Sequence, residues 1–357
     1  MASRFTIRTE GLLGALADSG DPMVASSISS DRSALSKKHV GSPPDPENGA
    51  SPGRSVQQTE IGFIGLGRIG SAMAANLAAA GYRVMAYVRR PDQMEALAPL
   101  RLKSTTEIAD VFERDIVTSM LPDDAAVHDV VFGQDDHGII GLASGLKPGA
   151  IHLCMSTIST TMASEVAAEH TRRGQGYVAA PVFGNPDAAK ARQLFIIAAG
   201  AASDVERCQP LFDVLGQKTF VLASDPWQAN LVKLLGNMMT ATTLEMLAEV
   251  VAVALKRGLD PRSFLDIMTS TMFGGRVHKL YGDKIVTKSY AAGFVLPLVL
   301  KDTRLALAEA ETAGAPMPSV NVVRDRLITG IARGYADLDW TALGLIAAEE
   351  AGLNATP

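Results

Sequence analysis

The sequence predicts an α/β domain with a doubly wound, mostly parallel sheet, followed by an all-α domain and joined to it by a long interdomain helix. Three observations carry this expectation. Between residues 60 and 222, short apolar runs alternate with helical patterns, the signature of strand–helix–strand units. The first of these units, Ile61 to Arg90, contains Gly65-x-Gly67-x-x-Gly70 between an apolar run and a helical pattern. After Asp225 the strand-like runs stop and only helical periodicity continues.

The chain has 357 residues, of which 47% are hydrophobic, and a net charge of −5. That length suits two domains plus extras, with enough apolar residues for sizeable cores. We divide it into residues 1–58, 59–223 and 224–357. The first segment holds 11 Ser, 5 Pro, 6 Gly and a single aromatic, Phe5. It cannot bury enough apolar area to offset its ordering entropy, and reads as a disordered extension. Glu10, Asp18 and Asp21 argue against a transit peptide, and no apolar stretch there resembles a secretory signal.

Strands are expected at 61–65, 83–88, 116–120, 150–154, 177–180, 195–199 and 219–222, with helices at 68–80, 124–132, 159–173 and 203–215. Residues 226–257 carry proline only at their first position, Pro226, and contain one glycine, Gly236, so they form one helix of roughly 45 Å at about 1.5 Å per residue. Gly258 stops it, and Pro261 begins the next helix at its first position. Further helices fall at 261–270, 276–287, 297–313, 318–332 and 340–350.

The glycine motif is read as a dinucleotide-binding fingerprint of a Rossmann domain. Gly65 permits a tight turn, Gly67 lets a pyrophosphate approach the backbone, and Gly70 lets the helix pack against the strand. The loop residues Leu66, Arg68 and Ile69 complete the cofactor cradle, and the helix N-terminus offers free N–H groups to the phosphates. The second strand ends in Arg89 and Arg90, with no acid before Asp92. A carboxylate there would hold the ribose of NAD, whereas guanidinium groups suit a 2′-phosphate, so NADP is expected ahead of NAD. The alternative is an arginine that stacks on the adenine or faces solvent.

Lys233 and Asn237 lie four residues apart on the long helix and share a face, with Gly236 beside them. A lysine among Leu and Met would be partly desolvated, and its pKa would fall toward the range useful for acid–base work. The plainer alternative is a lysine on a solvated helix face. The six histidines are scattered without ligand spacing, so no metal site is expected. Without a strongly basic region, nucleic acid is not an expected partner. The apolar stretch from Thr240 to Leu255 is interrupted by Glu245 and Glu249, so no membrane span is expected. Cys154 and Cys208 read as buried thiols, which fits a reducing, cytoplasmic setting.

From about residue 60 to 350 the chain resembles the β-hydroxyacid dehydrogenase family, which includes 3-hydroxyisobutyrate dehydrogenases and glyoxylate/succinic semialdehyde reductases. The resemblance rests on Gly62-Phe-Ile-Gly65-Leu-Gly67-Arg-Ile-Gly70 with Met73 and Asn76-Leu77, then Met120-Leu121-Pro122-Asp123 and Met155-Ser156-Thr157-Ile158-Ser159. It continues in Ala180-Pro181-Val182-x-Gly184, Lys233-Leu234-x-x-Asn237 and Lys301-Asp302. It implies that Lys233 is the catalytic general acid–base, that Asn237 binds the substrate or orients the lysine, and that Ser156 anchors the acid end of a substrate. It also implies that Leu121, Pro122, Thr157 and Lys301 touch the cofactor, that Asp302 is structural, and that the helical domain pairs subunits in a homodimer or homotetramer.

The chain departs from the family where substrate is read. The loop Pro181-Val182-Phe183-Gly184-Asn185 has Phe183 where the family carries a serine and Asn185 where it carries a glycine, and Arg192 stands at another common glycine. Losing the hydroxyl and gaining apolar bulk leans toward a less polar carbonyl compound, unless Asn185 or backbone N–H groups hold a carboxylate instead. The expected activity is NADPH-dependent reduction of a small aldehyde or keto acid of semialdehyde or glyoxylate type, or the reverse. The alternatives are an imine reductase, disfavoured because such enzymes replace the lysine, and a non-catalytic dehydrogenase-like binding module.

Overall fold

Five of the six parallel strand pairings among the described residues are contiguous, and the order of those strands places the ligand crevice. The computed structural model describes residues 60–100, 102–134 and 138–353. The segment read as a disordered extension lies outside the described residues.

The first half runs β1 (Glu60–Ile64), α1 (Gly70–Ala79), β2 (Arg83–Tyr87), α2 (Pro91–Leu97), β3 (Lys103–Thr105), β4 (Ile116–Ser119), α3 (Asp124–Phe132), the short pair β5 (Gly133–Gln134) and β6 (Ile139–Ile140), and α4 (Leu142–Gly145). It continues with β7 (Ile151–Cys154), α5 (Thr160–Arg172), β8 (Gly176–Ala179), β9 (Val182–Phe183), α6 (Pro186–Lys190), β10 (Leu194–Gly200), α7 (Ala202–Leu215) and β11 (Gly216–Val221). The second half is helical: α8 (Trp227–Lys256), α9 (Pro261–Ser270), α10 (Arg276–Val286), α11 (Leu296–Thr312), α12 (Pro318–Ala332) and α13 (Leu343–Glu350).

Strands β3-β2-β1-β4-β7-β8 are parallel and lie in the order of a dinucleotide-binding sheet. The switch point falls between β1 and β4, so a crevice opens above their C-terminal ends, where Gly65 and Met120 meet. Beyond β8 the direction reverses. β10 runs antiparallel to β8 and to β9, and β11 follows β10 in parallel. Strand periodicity carries no sign of direction, so this reversal was not legible from the apolar runs. The strands of the parallel portion are apolar throughout because helices cover both faces, with Ile61, Phe63, Ile151 and Leu153 fully buried.

A polar chain crosses this core. Gln175 donates to the carbonyls of Ala143 and Leu146, so its Oε1 is left to accept from His170 Nδ1 at 2.6 Å. His170 Nε2 must then accept from His152 Nδ1 at 3.0 Å, and His152 Nε2 accepts from the Ser119 hydroxyl at 2.8 Å. Burial holds both imidazoles below their ordinary pKa and therefore neutral. The chain fixes the end of β4 just before the Met120-Leu121-Pro122 turn.

Helix α8 matches its expected span because Pro226 and Gly258 bracket it. By length and composition it is apolar enough to cross a membrane, with a mean hydropathy of 1.5, which corrects the expectation that no segment reaches that level. Half of that stretch is buried inside the protein against α10, α11, α12 and α13, as in a core helix. Its buried face, including Ala241, Leu244 and Ala248, meets Leu296, Val299, Leu327 and Leu343. The helix expected at 340–350 begins instead as a 3-10 turn, Trp340–Ala342, capped by Asp339. Both cysteines are free and buried.

Candidate active site

A cleft of about 1280 Å³ runs from the glycine turn after β1 to the wall formed by α8, α10 and α11. Its volume exceeds that of an ordinary small-ligand pocket, leaving room for a dinucleotide and a second molecule.

At one end, each glycine of the motif has a different reason to be glycine. Gly65 has φ +90°, and a Cβ there would collide with the Met120 carbonyl oxygen. A Cβ on Gly70 would collide with the Gly65 carbonyl oxygen. A Cβ on Gly67 would meet nothing within 4 Å, so this glycine faces the open cleft. Helix α1 begins there with no side-chain cap, which leaves its first N–H groups for an anion. Leu66 and Ile69 pack on the sheet core, while Arg68 reaches away and donates to the Ala292 carbonyl across the cleft. This cradle fits a pyrophosphate.

Arg89 and Arg90 part company. Arg89 is exposed and lines the cleft, whereas Arg90 begins α2 outside it and pairs with Asp92 at 3.4 Å. Leu121, Pro122 and Thr157 line the cleft beside the glycine turn. Ser156 does not: it is fully buried, and its hydroxyl accepts from the Leu121 N–H at 2.8 Å. Its position between two strand-end turns makes it a brace for the Leu121-Pro122 loop. Lys301, on α11, donates to the Thr157 carbonyl and thereby ties the helical wall to the sheet.

Lys233 sits two turns into α8 and is 8% exposed. Its Nζ donates to Asn237 Oδ1 at 2.9 Å, and Asn237 Nδ2 donates to Asp302 Oδ2 at 2.6 Å. An ammonium offers only donors and a carboxylate only acceptors, so the amide has one workable orientation. Asp302 is almost fully buried and also pairs with Lys301 at 2.8 Å. Burial pulls the Lys233 pKa down to about 8, against the attraction of Asp302 and with help from the nearby Lys301 charge. Asp302, read from sequence as structural, is thus the third member of this array. Its adjacency to Lys301 on one apolar helix was the available signal.

Phe183 closes the other side of the lysine, with its ring centroid 4.5 Å from Nζ. The ring fits because residue 236 is glycine; a Cβ there would come within 2.8 Å of Phe183 Cε1 and closer still to Cζ. Gly184 has φ +147°, which favours glycine. Asn185 lines the cleft, but its Oδ1 accepts from Ala188 N–H at 2.8 Å as the cap of α6. Arg192 adopts φ +60°, the left-handed region that explains why glycine would be at home there. Sequence reasoning missed the opposite wall, where Arg276, Leu280 and Lys284 follow one another at helical spacing along α10. Among the described residues, no group of three or more His, Cys, Asp or Glu could hold a metal ion.

Residues 60–223 match the model of the NAD-binding domain of 6-phosphogluconate dehydrogenase. Residues 228–346 match that of the NAD-binding domain of NADP-dependent 3-hydroxyisobutyrate dehydrogenase. An uncharacterised oxidoreductase of Bacillus subtilis, YfjR, is 38% identical over 80% of this chain and 98% of its own length. The chain belongs to the β-hydroxyacid dehydrogenase family. Membership supports NAD(P)-dependent hydroxyacid dehydrogenase or reductase activity. Glyoxylate/succinic semialdehyde reductase 1 of Arabidopsis thaliana is 31% identical over 80% of this chain and 96% of its own. The Mycobacterium tuberculosis 3-hydroxyisobutyrate dehydrogenase, solved with L-serine, superposes with a TM-score of 0.71 at 26% identity, covering 80% and 98% of the two chains. An imine reductase from Pseudomonas sp. shares the fold with a TM-score of 0.53 at 20% identity over 80% and 98%.

The glycine geometry of this β-hydroxyacid dehydrogenase makes a prediction. Gly67→Ala should keep the thermal midpoint of the wild type and weaken binding of the reduced nicotinamide cofactor roughly tenfold, about 1.4 kcal/mol. Gly70→Ala should lower both. Fluorescence titration with NADH and NADPH beside thermal unfolding distinguishes them, and unchanged cofactor affinity in Gly67→Ala would contradict the cradle.

Proposed function

We propose that the protein is an NADPH-dependent carbonyl reductase of the aldehyde or keto-acid class, also able to oxidise the corresponding alcohol, with Lys233 as general acid–base. The observation that carries this reading is a buried amine at the cleft, hydrogen-bonded among the described residues to a neutral amide, whose pKa burial pulls down to about 8. At neutral pH such an amine is mostly protonated, yet gives up its proton readily.

The glycine turn, Arg89, Leu121, Pro122, Thr157 and Lys301 are the residues that would hold the cofactor. Bound there, a nicotinamide supplies the hydride. The chain supplies the proton: Lys233 Nζ donates to the carbonyl oxygen as negative charge develops on it. Asn237 keeps Nζ aimed, and Asp302 fixes the amide and offsets part of the cost of burying the ammonium. The Phe183 ring keeps water from one side of the amine. In the reverse direction the neutral amine takes the hydroxyl proton. A positively charged imine would not need this donor, so Lys233 favours a carbonyl substrate over an imine.

Arg89 supports NADP, since a guanidinium that lines the cleft just after β2, with no ion-pair partner among the described residues, suits a 2′-phosphate. The buried free thiols fit a cytoplasmic setting. Val232, Leu235, Met239, Met246, Val250 and Val253 form an exposed apolar stripe along α8 at heptad-like spacing, which supports pairing with a second copy of the chain. Sedimentation should give a dimer that Met239→Glu with Val253→Glu disrupts; a wild type that sediments as a monomer would contradict this.

The sign of the pH dependence follows from which form of the amine works. Reduction needs the protonated amine, so kcat/KM should hold below about 8 and fall above it, while oxidation should rise through the same range. Lys233→Met should lower carbonyl turnover by about 10²-fold or more and erase that limb of the profile. Retained turnover with an unchanged profile would reject the assigned role. For cofactor choice, Arg89→Ala should raise the KM for NADPH about 10-fold or more, the scale of one charge-assisted hydrogen bond, with little change for NADH. Equal effects on both cofactors would remove the 2′-phosphate argument.

A further inference from the structure

Phe183 and Phe195 face each other across the β9–β10 pair, so their side chains stand on one face of that ribbon, and both line the cleft. Each ring carries a cation. Lys233 Nζ lies 4.5 Å from the Phe183 centroid, and the Arg276 guanidinium lies 5.9 Å from that of Phe195. The ribbon thus runs from the proton donor to a second positive charge, and both charges line the same cleft. The lysines of the helical wall are committed elsewhere. Lys301 is tied to the Thr157 carbonyl and Asp302, and Lys284 pairs with Asp339 at 3.6 Å. Arg276 has no ion-pair partner among the described residues. The one carboxylate on its own helix, Asp283, pairs with Arg262 at 2.6 Å. Ser156 is buried and holds the Leu121 N–H, whereas Asn185 lines the cleft and keeps its Nδ2 donor while Oδ1 caps α6.

We infer that Arg276 is a specificity-determining residue, which receives the carboxylate of an oxo acid whose carbonyl lies at Lys233, across the two-ring ribbon. This rests on the proposed reduction and narrows its substrate class to oxo acids whose acid group is separated from the reacting carbonyl. A guanidinium without a carboxylate of its own offers paired N–H donors that match a carboxylate in geometry and charge. Its seat against Phe195 sets where that carboxylate goes, one ring beyond the Phe183 ring that flanks the proton donor. Taken alone, Phe183 in place of the family's serine favours a less polar substrate. Arg276 supplies from α10 the anion contact that the loop has lost, and Asn185 Nδ2 adds a neutral donor to the same cleft.

Primary amides present a carbonyl and are not reduced, so they separate binding from turnover. Calorimetric titration uses enzyme saturated with NADP+, or with NAD+ if that binds more tightly. Succinamate and glutaramate should bind roughly tenfold or more tightly than butanamide and pentanamide, which carry a methyl group in place of the carboxylate. Arg276→Gln should abolish that preference and keep the wild-type thermal midpoint, because the residue is exposed and its loss breaks no ion pair. Arg276→Lys should restore part of the preference. Oxamate, whose carboxylate sits on the carbonyl carbon, should lose less affinity than succinamate in Arg276→Gln. Wild-type enzyme that binds the acids no more tightly, a preference that survives Arg276→Gln, or an equal loss for oxamate would overturn the inference. Steady-state reduction of succinic semialdehyde and butanal completes the comparison, with the loss in Arg276→Gln falling on KM for the acid rather than on kcat. Arg276-dependent binding of the acidic amides without reduction of either aldehyde would uphold the anchor and reject the proposed reduction. Equal kcat/KM for the two aldehydes, lost for both in Lys233→Met, would uphold the reduction and reject the anchor.

Discussion

A charged amine buried in protein must either be paired or lose its charge, and the arrangement around Lys233 lies between those extremes. A carboxylate in direct contact would hold the ammonium and raise its pKa, leaving a poor proton donor. An apolar pocket alone would neutralise it at physiological pH. Here Asn237 is interposed, so Asp302 acts on Nζ through an amide, and Lys301 takes the direct contact with that carboxylate. The remaining attraction is too weak to cancel burial, and the pKa settles near 8. The rest of the site is organised around keeping that balance.

The fold supplies the parts from distant places in the chain. α8 carries Lys233 and Asn237 one turn apart, α11 brings Lys301 and Asp302, and the β9 strand lays Phe183 against the gap left by Gly236. The sheet contributes the other half. Its switch point between β1 and β4 puts the glycine turn beside Leu121, and Ser156 braces that loop from beneath. Lys301 joins the halves through the Thr157 carbonyl. The cleft is thus a seam between two layers, and it is held at the turns that border it.

Much of this was legible in the sequence because it is written in local signals. The glycine spacing located the cradle, and Gly258 bounded the end of α8 closely. The Lys233–Asn237 spacing marked one helix face. What escaped detection has physical causes. The strand β3 is three polar residues, Lys103-Ser104-Thr105, at a sheet edge, and α2, α4 and α6 are too short to show periodicity. The reversal at β10 leaves no trace in composition. Arg90 was read together with Arg89 and Ser156 through the family resemblance, yet neighbouring residues in an extended chain point to opposite sides: Arg90 pairs with Asp92 outside the cleft, and Ser156 is buried under the Leu121 N–H. Asp302 looked structural because its partner, Asn237, lies 65 positions away. Phe183 was noticed as a departure, but its meaning required Gly236 and Phe195 to be brought beside it.

The central claim concerns the protonation of one amine, and it can be measured without any substrate. With methyl-labelled or isotopically labelled lysines and a Lys233→Met sample for assignment, the ε resonance of Lys233 can be followed by NMR across pH. The account predicts a midpoint near 8, set apart from the other lysines. A Lys233 signal that titrates with the exposed lysines near 10.4 would contradict it.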